Sequence, residues 1–510
     1  MTALHSRYNP QGEAERYLDA LSISPAIRCF VLIEPGLGYM IPVLSRRFPG
    51  ARIIVLHVSG DSANRVCRDS AGRSGANTVY WNPACGLPAE DFLARELEEL
   101  TRDRNFGPDF GPQSIKIIEW RPSLDFYGDS CVKLLSAAAA AIRRFDAERR
   151  TLHAFGRRWF RNFLKNLRVL CRSPLVRDFR KTDAPILVTG SGPSLEESLP
   201  FIKKLAEGQN HFIIAASSSV MALLHRGIVP NLVLSTDGGG WAPLHLYELF
   251  RTSGPARKAA NRGAFSLAVG FTASLPSQCG GLPALGIADG SLWQTLVLRG
   301  LGIPHLALPQ RGTVTATALD LALALGRGKI IIAGMDLDSR DIRTHARPYG
   351  FDRLWREGAS RFRSEYSQSF FRRMAAREGG SYRIYAEWFA SRLGSYGGRL
   401  YTLGTNNPLF AGLPRLRDPA VPDSRGGPAA PAEGGPDFAW APPRERREKT
   451  DAVSRALEIL GAALENSGSR ETITGELAPL ILPGKPVPGA GELRAEMESL
   501  ARPYLPAGNP

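Results

Sequence analysis

A glycine-rich turn, TGSGPSLEE at residues 189–197, lies between the apolar run PILV and a helical pattern. Ser194 and Glu197 have the S-x-x-E spacing of a capping box, which predicts a helix that begins near Leu195. A bare backbone before that helix would let an anion reach free N–H groups and the positive end of the helix dipole. The stretch therefore predicts either contact with a phosphate or sugar nucleotide, or a plain tight turn. The residues of the predicted contact are Gly190, Ser191, Gly192 and Ser194.

Polar residues also follow other predicted strands of the same region. Three of these strands end in SSS, STDGGG and AGMDLD, and the turn PQRGTVT opens a helix. Because the carboxyl ends of parallel strands meet at one edge of a sheet, we expect these residues to share a site with the glycine turn. Asp237 stands at the end of the third strand. The residues assigned to donor or nucleotide binding are Ser217, Ser218, Gly312, Thr313, Thr315, Asp336 and Asp338.

Six apolar segments, separated by helical stretches, would position these turns. This alternation predicts a Rossmann-like α/β domain, a mostly parallel sheet with helices on both faces. The later stretch RLYTLGTNNPLFAG is predicted to add one strand and a loop. The strands are predicted at 185–189, 211–217, 231–237, 265–271, 305–309 and 329–336.

An N-terminal segment, residues 28–58, has the pattern of a βαβ unit and predicts a second Rossmann-like domain. Its turn, EPGLGY, carries Gly36 and Gly38, as in nucleotide or methyl-donor sites. Such sites usually have Asp or Glu at the end of the second strand to hold ribose hydroxyls, and His57 occupies that region here. Ligand binding and a tight structural turn both remain open for EPGLGY.

A long helical pattern from residue 129 to residue 170 carries an apolar stripe and a basic surface. Residues 143–181 contain thirteen Lys or Arg against three acids, within a chain of net charge +15. Such a surface fits an anionic substrate, an acidic membrane surface or nucleic acid, and also a merely solvated helix face. We expect neither nucleic acid nor a membrane span. The stripe consists of Ile142, Phe145, Leu152, Phe155, Trp159, Phe163, Leu167 and Leu170.

Composition divides the 510-residue chain into several segments. Residues 418–443 contain seven Pro and four Gly, which is typical of a linker, and an amphipathic helical pattern follows. The predicted segments are 1–130 (N-terminal domain), 131–182 (basic connecting helix), 183–417 (central domain), 418–446 (linker) and 447–510 (helical tail).

The six cysteines are scattered, without a CxxC pair, which argues against a disulfide framework and a structural zinc site. The N-terminus has no signal-peptide core, and the longest smooth apolar run, LLSAAAAAI, is far below the ~20 residues of a membrane span. We therefore expect a cytoplasmic protein.

Four ordered motifs resemble a known family. VTGSGPSLEESL, AASSSVMALLHRGIVPNLVLSTD, QRGTVTATALDLALALGRGKIIIAGMDLD and THARPYG together resemble the motility accessory factor (Maf) glycosyltransferases. These belong to the wider 6-hydroxymethylpterin diphosphokinase MptE-like family. The resemblance covers residues 183–410 and implies a central domain similar to bacterial sialyltransferases. The N-terminal GLGY unit and the stretch RWFRNFLKNL also look like parts of the longer Maf architecture.

The two branches of this family imply different reactions. The Maf branch implies transfer of a nonulosonic, sialic-acid-like sugar from a CMP-activated donor to Ser or Thr of flagellin, with no cofactor required and Mg²⁺ optional. The MptE branch implies Mg²⁺-dependent pyrophosphoryl transfer from ATP to a hydroxymethylpterin, in which Asp237, Asp336 and Asp338 would hold the metal. The length of this chain favours Maf. A third hypothesis is a non-catalytic flagellin-binding protein.

For the Maf reaction, attack by a hydroxyl needs a base with a pKa near neutral, and His is the side chain best suited. His345 lies just past a strand of the predicted edge, in an arginine-rich loop, and is predicted to be catalytic. Asp237 would hold sugar hydroxyls or a metal, or act only as a turn residue. The nearby Arg340, Arg343 and Arg347 would bind the donor's carboxylate or phosphate, or lie solvated at the surface.

Overall fold

The computed structural model describes most of the chain. Within the described residues, none of the helices combines the length and the hydropathy that a membrane crossing requires. The described residues are 4–69, 77–102, 106, 110–208, 211–251, 265–309, 311–338, 342–378, 381–404, 407, 410, 412–416, 435–443, 446–483 and 488–505.

The chain forms two compact units, one of residues 1–156 and 463–496, the other of residues 157–462 and 497–510. The first unit contains a four-stranded parallel sheet in the order β3-β2-β1-β4. This order is that of a Rossmann half, so the prediction of an N-terminal Rossmann-like domain is confirmed. Its strands are β1 (Cys29–Ile33), β2 (Arg52–Leu56), β3 (Thr78–Trp81) and β4 (Ile115–Glu119), and its helices are α1 (Pro10–Ala20), α2 (Met40–Arg47), α3 (Gly60–Asp69), α4 (Ala89–Arg102) and α5 (Arg121–Tyr127).

The second unit contains a ten-stranded sheet in the order β13-β12-β6-β7-β8-β9-β10-β5-β14, with β11 beside β10. Every pair is parallel except β5 with β14, which confirms the predicted Rossmann-like central sheet. The strands are β5 (Leu175–Arg180), β6 (Ile186–Thr189), β7 (Phe212–Ala216), β8 (Leu232–Ser235), β9 (Ser266–Gly270), β10 (Ala284–Ala288), β11 (Leu306–Ala307), β12 (Ile330–Ala333), β13 (Leu400–Thr402) and β14 (Asp437–Ala441).

Helices connect these strands and bury apolar faces against the sheet. Strands β6, β7, β8 and β12 are completely buried, which is typical of parallel strands covered on both faces. The helices are α6 (Asp129–Leu170), α7 (Leu195–Glu207), α8 (Val220–His225), α9 (Leu244–Arg251), α10 (Leu292–Gly300), α11 (Val314–Leu325), α12 (Asp352–Glu357), α13 (Glu365–Glu378) and α14 (Ser381–Arg392).

The prediction of a connecting helix over residues 131–182 extends too far at the C-terminal end. Helix α6 ends at Leu170, because Pro174 cannot continue a helix, and residues from Leu175 onward form β5. Of the predicted apolar stripe, Phe163 and Leu167 are fully buried, whereas Phe155 is 38% exposed. The boundary between the two compact units falls within α6, after Gly156.

The C-terminal region is helical, as predicted, with α15 (Arg446–Glu465), α16 (Ser467–Ile481) and α17 (Ala490–Ala501). The predicted linker 418–446 falls largely outside the described residues, but its last part is β14, which pairs with β5. The Pro- and Gly-rich composition of that segment therefore did not indicate the edge strand β14.

Candidate functional site

The order in which the strands follow one another in the central sheet reverses between β6 and β12. From β6 the strand order runs through β7, β8, β9 and β10 on one side and through β12 and β13 on the other. Thr189 at the end of β6 pairs with Ala333 at the end of β12, so the turns that follow the two strands are neighbours. In open parallel sheets this point is where ligands bind. The predicted glycine turn and Asp336 both lie there.

The glycines of the turn make room for the neighbouring turn rather than for a free anion. Backbone N–H groups of Gly190 and Gly192 donate to the carbonyl oxygens of Ala333 and Gly334, at 2.8 and 2.7 Å. A Cβ on Gly190 would lie 2.5 Å from the Gly334 oxygen, and one on Gly192 would lie 2.5 Å from Asp336 Oδ2. The prediction that bare N–H groups await a phosphate is wrong for these two residues.

The predicted capping box is also wrong. Helix α7 begins at Leu195 as expected, but Ser194 already has helical backbone angles, and its side chain makes no capping hydrogen bond. Its hydroxyl is buried without a partner among the described residues. The Ser194 N–H instead donates to Asp336 Oδ2 at 2.7 Å. A buried carboxylate from the β12 turn therefore occupies the anion position at the start of α7.

We predict that Asp336→Ala destabilises the protein by about 1–3 kcal/mol, because the buried Ser194 N–H loses its acceptor. Asp336→Asn keeps an acceptor oxygen and should cost less. Thermal unfolding of the two variants measures the difference. Equal melting temperatures for wild type and Asp336→Ala would show that this carboxylate is not needed as a cap.

The serines after β7 and the residues of the turn before α11 have structural roles at this edge of the sheet. Ser217 is buried and its N–H donates to the Leu234 oxygen, while Ser218 is partly exposed. Thr313 caps α11, since its hydroxyl accepts from the Ala316 N–H at 3.0 Å. Gly312 has φ +75°, a backbone conformation that favours glycine, and Thr315 is partly buried in the first turn. Their ligand-binding roles stay predictions.

Asp237 is exposed at the end of β8, and its Oδ1 accepts from the Gly239 N–H at 2.7 Å. This contact is the turn role that the sequence left open. Burial raises the pKa of Tyr385, and the charge of Asp237 raises it further. Asp237 therefore accepts a hydrogen bond within its own turn and also lies at the carboxyl edge of the central sheet.

The C-terminal part of α6 holds the loops around Asp237. Asn162 Nδ2 donates to the carbonyl oxygens of Gly238 and Thr272, at 3.2 and 3.0 Å. The buried Asn166 donates to the oxygens of Phe271 and Ala273, at 2.8 and 2.7 Å. Sequence reasoning treated this helix only as an apolar stripe with a basic back. The buried amides in RWFRNFLKNL were the signal that was missed.

Two tyrosines of α14, three residues apart, were also missed. Burial raises the pKa of Tyr382, and the charges of Asp338 and Asp336 raise it further. Tyr385 lies beside the Gly312 turn, 3.5 Å from where a glycine Cβ would stand. Both phenols are thus protonated hydrogen-bond donors near the carboxylates of the edge. The Y-x-x-Y spacing on one helix face could have indicated them.

His345 lines a small pocket formed by residues 342–372, together with Thr344, Tyr349 and Arg372. Its ring stacks on Tyr349 at 4.1 Å between centroids, and its Nδ1 lies 2.9 Å from Thr344 Oγ1. Burial, followed by the Arg372 charge, lowers the pKa of His345 from 6.5 to about 4. The expected near-neutral pKa is therefore wrong, and the ring is neutral at pH 7.

The predicted anion-binding arginines are largely committed elsewhere. Arg343 Nη1 contacts both carboxylate oxygens of Glu196, at 3.1 and 3.0 Å. The Arg347 N–H also donates to Glu196, at 2.9 Å, and its guanidinium lies 3.8 Å from Asp352. Arg340 lies outside the described residues. Neither free anion binding nor simple solvation describes Arg343, which anchors its loop to α7.

The three carboxylates of the alternative metal site do not form a ready cluster. Across the described ranges, no three His, Cys, Asp or Glu side chains are grouped so that they could hold a metal ion. Asp336 is buried at the Ser194 N–H, Asp237 is bonded at its own turn, and Asp338 is partly buried. The present geometry does not match the predicted convergence of these side chains on Mg²⁺.

A second histidine packs behind this pocket. His245 is buried, contacts the rings of Tyr349 and Phe351, and has an Nδ1 without a partner among the described residues. Burial, with the nearby His345 ring, lowers the pKa of His245 to about 3. The unfolded chain therefore binds a proton at pH 5 that the folded chain does not.

We predict that His245→Phe reduces the loss of stability on acidification. Below pH 6.5 each such histidine destabilises the fold by about 1.4 kcal/mol per pH unit until its folded pKa is reached. Between pH 7 and pH 5, His245 should account for about 2 kcal/mol. Thermal unfolding at both pH values tests this, with exposed His225→Gln as the control. An unchanged pH dependence in His245→Phe would contradict it.

The turn EPGLGY of the first unit is filled by its own chain. Gly36 and Gly38 have φ +65° and +76°, and the space beside Gly36 is taken by the His5 ring. His5 Nε2 accepts from the Leu37 N–H at 3.0 Å. His57 is buried, 3.4 Å from Glu34. These contacts favour the structural turn over a ligand loop.

Comparison with known proteins finds a family match for part of this site. Residues 161–255 match the family described as 6-hydroxymethylpterin diphosphokinase MptE-like, the wider family to which the motifs point. The matched segment includes the end of α6, the glycine turn, the serines after β7 and Asp237. It does not reach Asp336 or His345.

The chain is similar to an uncharacterized protein of Treponema pallidum, with 26% identity over 314 residues, 60% of this chain and 63% of that protein. It is also similar to a 6-hydroxymethyl-7,8-dihydropterin pyrophosphokinase of Methanothermobacter thermautotrophicus, with 28% identity over 163 residues, 32% and 61% of the two chains. The matches thus span less than two thirds of these relatives. Among solved structures, a Maf glycosyltransferase from Magnetospirillum magneticum AMB-1 is similar with TM-score 0.48 and 14% identity, over 97% of this chain and 77% of that one.

Proposed function

We propose that this chain, MptE-like over residues 161–255, is a Maf-type glycosyltransferase. It would transfer a nonulosonic sugar from a CMP-activated donor to Ser or Thr hydroxyls of flagellin, in the cytoplasm. The four ordered motifs within residues 183–410 support this branch of the family, as does the large N-terminal unit that a minimal diphosphokinase lacks.

The observation that carries the proposal is the neutral His345 ring in a polar pocket that follows β12. Its Nδ1 is held by the Thr344 hydroxyl, and its ring plane is fixed by stacking on Tyr349. In the tautomer whose Nδ1–H donates to Thr344 Oγ1, the neutral imidazole presents Nε2 as a proton acceptor.

In the proposed step, the acceptor hydroxyl oxygen forms a bond to the anomeric carbon of the sugar. The bond between that carbon and the phosphate oxygen breaks, and its electron pair leaves with CMP. The hydroxyl proton goes to His345 Nε2. A base of low pKa suffices here if the proton moves late, after most of the bond to phosphate has broken.

The phosphate that leaves gains negative charge, which the site must stabilise. Tyr382 and Tyr385, whose pKa values are raised, would donate hydrogen bonds to it from their protonated hydroxyls. Asp237, exposed at the end of β8, would accept hydrogen bonds from ribose or sugar hydroxyls. These roles make a metal ion optional in the proposed reaction.

A diphosphokinase is the second candidate. The family description and the pyrophosphokinase relative favour it, and Asp237, Asp336 and Asp338 lie near the same tyrosines. It requires Asp237, Asp336 and Asp338 to converge on Mg²⁺. Among the described residues these carboxylates form no group that could hold a metal ion, which is the physical argument against it.

Titration calorimetry separates the candidates. The glycosyltransferase binds CMP equally well with EDTA and with Mg²⁺, and binds ATP–Mg²⁺ at least about tenfold more weakly. Tight ATP–Mg²⁺ binding that EDTA abolishes would favour the diphosphokinase. If neither nucleotide binds, the non-catalytic flagellin-binding hypothesis gains support, and a flagellin pull-down tests it.

A further inference from the structure

Arg372 of α13 is held in place without a carboxylate partner. Its guanidinium carbon lies 3.7 Å from the centroid of the Trp355 ring, and its Nη2 donates to Ser369 Oγ at 3.0 Å. In the part of the chain that the structure describes, no Asp or Glu oxygen lies within ion-pair distance of this guanidinium. The stacking and the hydroxyl fix the plane of the group, and neither of them supplies a negative charge.

Other cations surround Arg372. Burial lowers its pKa, and the charges of Arg347 and Arg363 lower it further, with only partial compensation from Asp352 and Glu365. Arg343, on the same pocket wall, is neutralised by its two contacts with Glu196. The pocket therefore has an excess of positive charge next to the neutral His345 ring.

We propose that this pocket is a binding site for a carboxylate or phosphate group, with Arg372 as its principal cation and Ser369 and Trp355 as its positioning residues. The planar guanidinium offers two parallel N–H donors, which match the oxygens of either anion. Trp355 is half-buried and contacts Tyr349, so the same aromatic stack orients Arg372 and His345.

Two parts of a CMP-activated nonulosonic donor could supply the anion, and this step rests on the proposed function. The sugar carboxylate is attached to the anomeric carbon, and the phosphate leaves from that carbon. Either group at Arg372 would bring the reacting carbon near His345. The sequence pattern pointed to Arg343 and its neighbours for this role, but the guanidinium without a carboxylate at ion-pair distance in the described part of the chain lies about thirty residues further along.

The anion site is tested first with inorganic phosphate, independently of any glycosyl transfer. Phosphate should raise the melting temperature of the wild type, and this rise should be lost in Arg372→Gln and reduced in Arg372→Lys. The control is Arg353→Gln, which removes an exposed α12 arginine whose guanidinium contacts Glu357. An equal response to phosphate in wild type and Arg372→Gln would overturn the proposal, and this readout stands even if CMP does not bind.

Binding of CMP and of N-acetylneuraminate, with its methyl ester as a neutral control, then identifies the source. If Arg372 holds the sugar carboxylate, Arg372→Gln weakens the free acid at least tenfold and leaves CMP unchanged. If it holds the nucleotide phosphate, the same variant weakens CMP at least tenfold and leaves the acid unchanged. If Arg372→Gln, which removes the charge, weakens neither ligand and responds to phosphate as Arg353→Gln does, the pocket charge has no binding role.

Discussion

Replacing His345 with glutamine is expected to lower the rate of sugar transfer by about 10²–10⁴-fold, the usual contribution of a positioned general base. Glutamine keeps a polar group within reach of Thr344 but cannot accept the proton at neutral pH. The melting temperature should change little, because the one hydrogen bond that the ring makes among the described residues, to Thr344, can be replaced by glutamine. The matched control is His225→Gln, on the exposed face of α8.

The pH profile distinguishes catalysis by His345 from a structural role. Only the neutral ring accepts a proton, so kcat/KM should fall as the pH decreases through about 4, the lowered pKa of this group, rather than through 6.5. A rate of His345→Gln equal to that of His225→Gln would remove His345 from the mechanism. An acid limb near pH 6.5 that persists in His345→Gln would assign the base elsewhere.

Replacing Gly192 with alanine is expected to destabilise the central unit by about 1–3 kcal/mol, the typical cost of overpacking. The added Cβ would lie 2.5 Å from Asp336 Oδ2 and 2.8 Å from the Gly334 oxygen, and the latter is backbone that cannot rotate away. At about 2–4 °C per kcal/mol, the melting temperature should fall by several degrees. Moving Asp336 would also disturb the cap of α7.

Gly394→Ala is the matched control for this substitution, because nothing lies within 4 Å of its Cβ position and its φ is ordinary. Its melting temperature should stay within about 1 °C of the wild type. If Gly192→Ala weakened nucleotide binding at an unchanged melting temperature, the glycine turn would be a ligand contact after all. That result would reverse the structural role assigned to it here.

Local patterns were sufficient to predict most of the architecture. Apolar runs bounded by turns predicted seven of the ten strands of the central sheet, whereas β5, β10 and β14 were not predicted. The start of α7 at Leu195 followed from its sequence. The sheet edge was predicted because parallel strands place their carboxyl ends together. The order β12-β6, which makes this point the switch, depends on long-range pairing that no local pattern contains.

The errors at the site have one physical origin, which is contact between distant parts of the chain. Asp336 caps α7 from 142 residues away, so the local S-x-x-E pattern named the wrong cap. Arg343, which was predicted to bind the anion, instead pairs with Glu196, 147 residues away in the chain. The pKa of His345 depends on burial and on Arg372, neither of which its own loop reveals. Tyr382 and Tyr385 joined the site only through the packing of α14.

The intact mass of flagellin after incubation with the purified protein and a CMP-activated nonulosonic acid tests the central claim most directly. We predict a mass increase of one or more sugar residues, release of an equal amount of CMP, and the same result in the presence of EDTA. His345→Gln should lose the product while His225→Gln retains it. Unchanged flagellin with several such donors, from protein that is folded and binds CMP, would contradict the account.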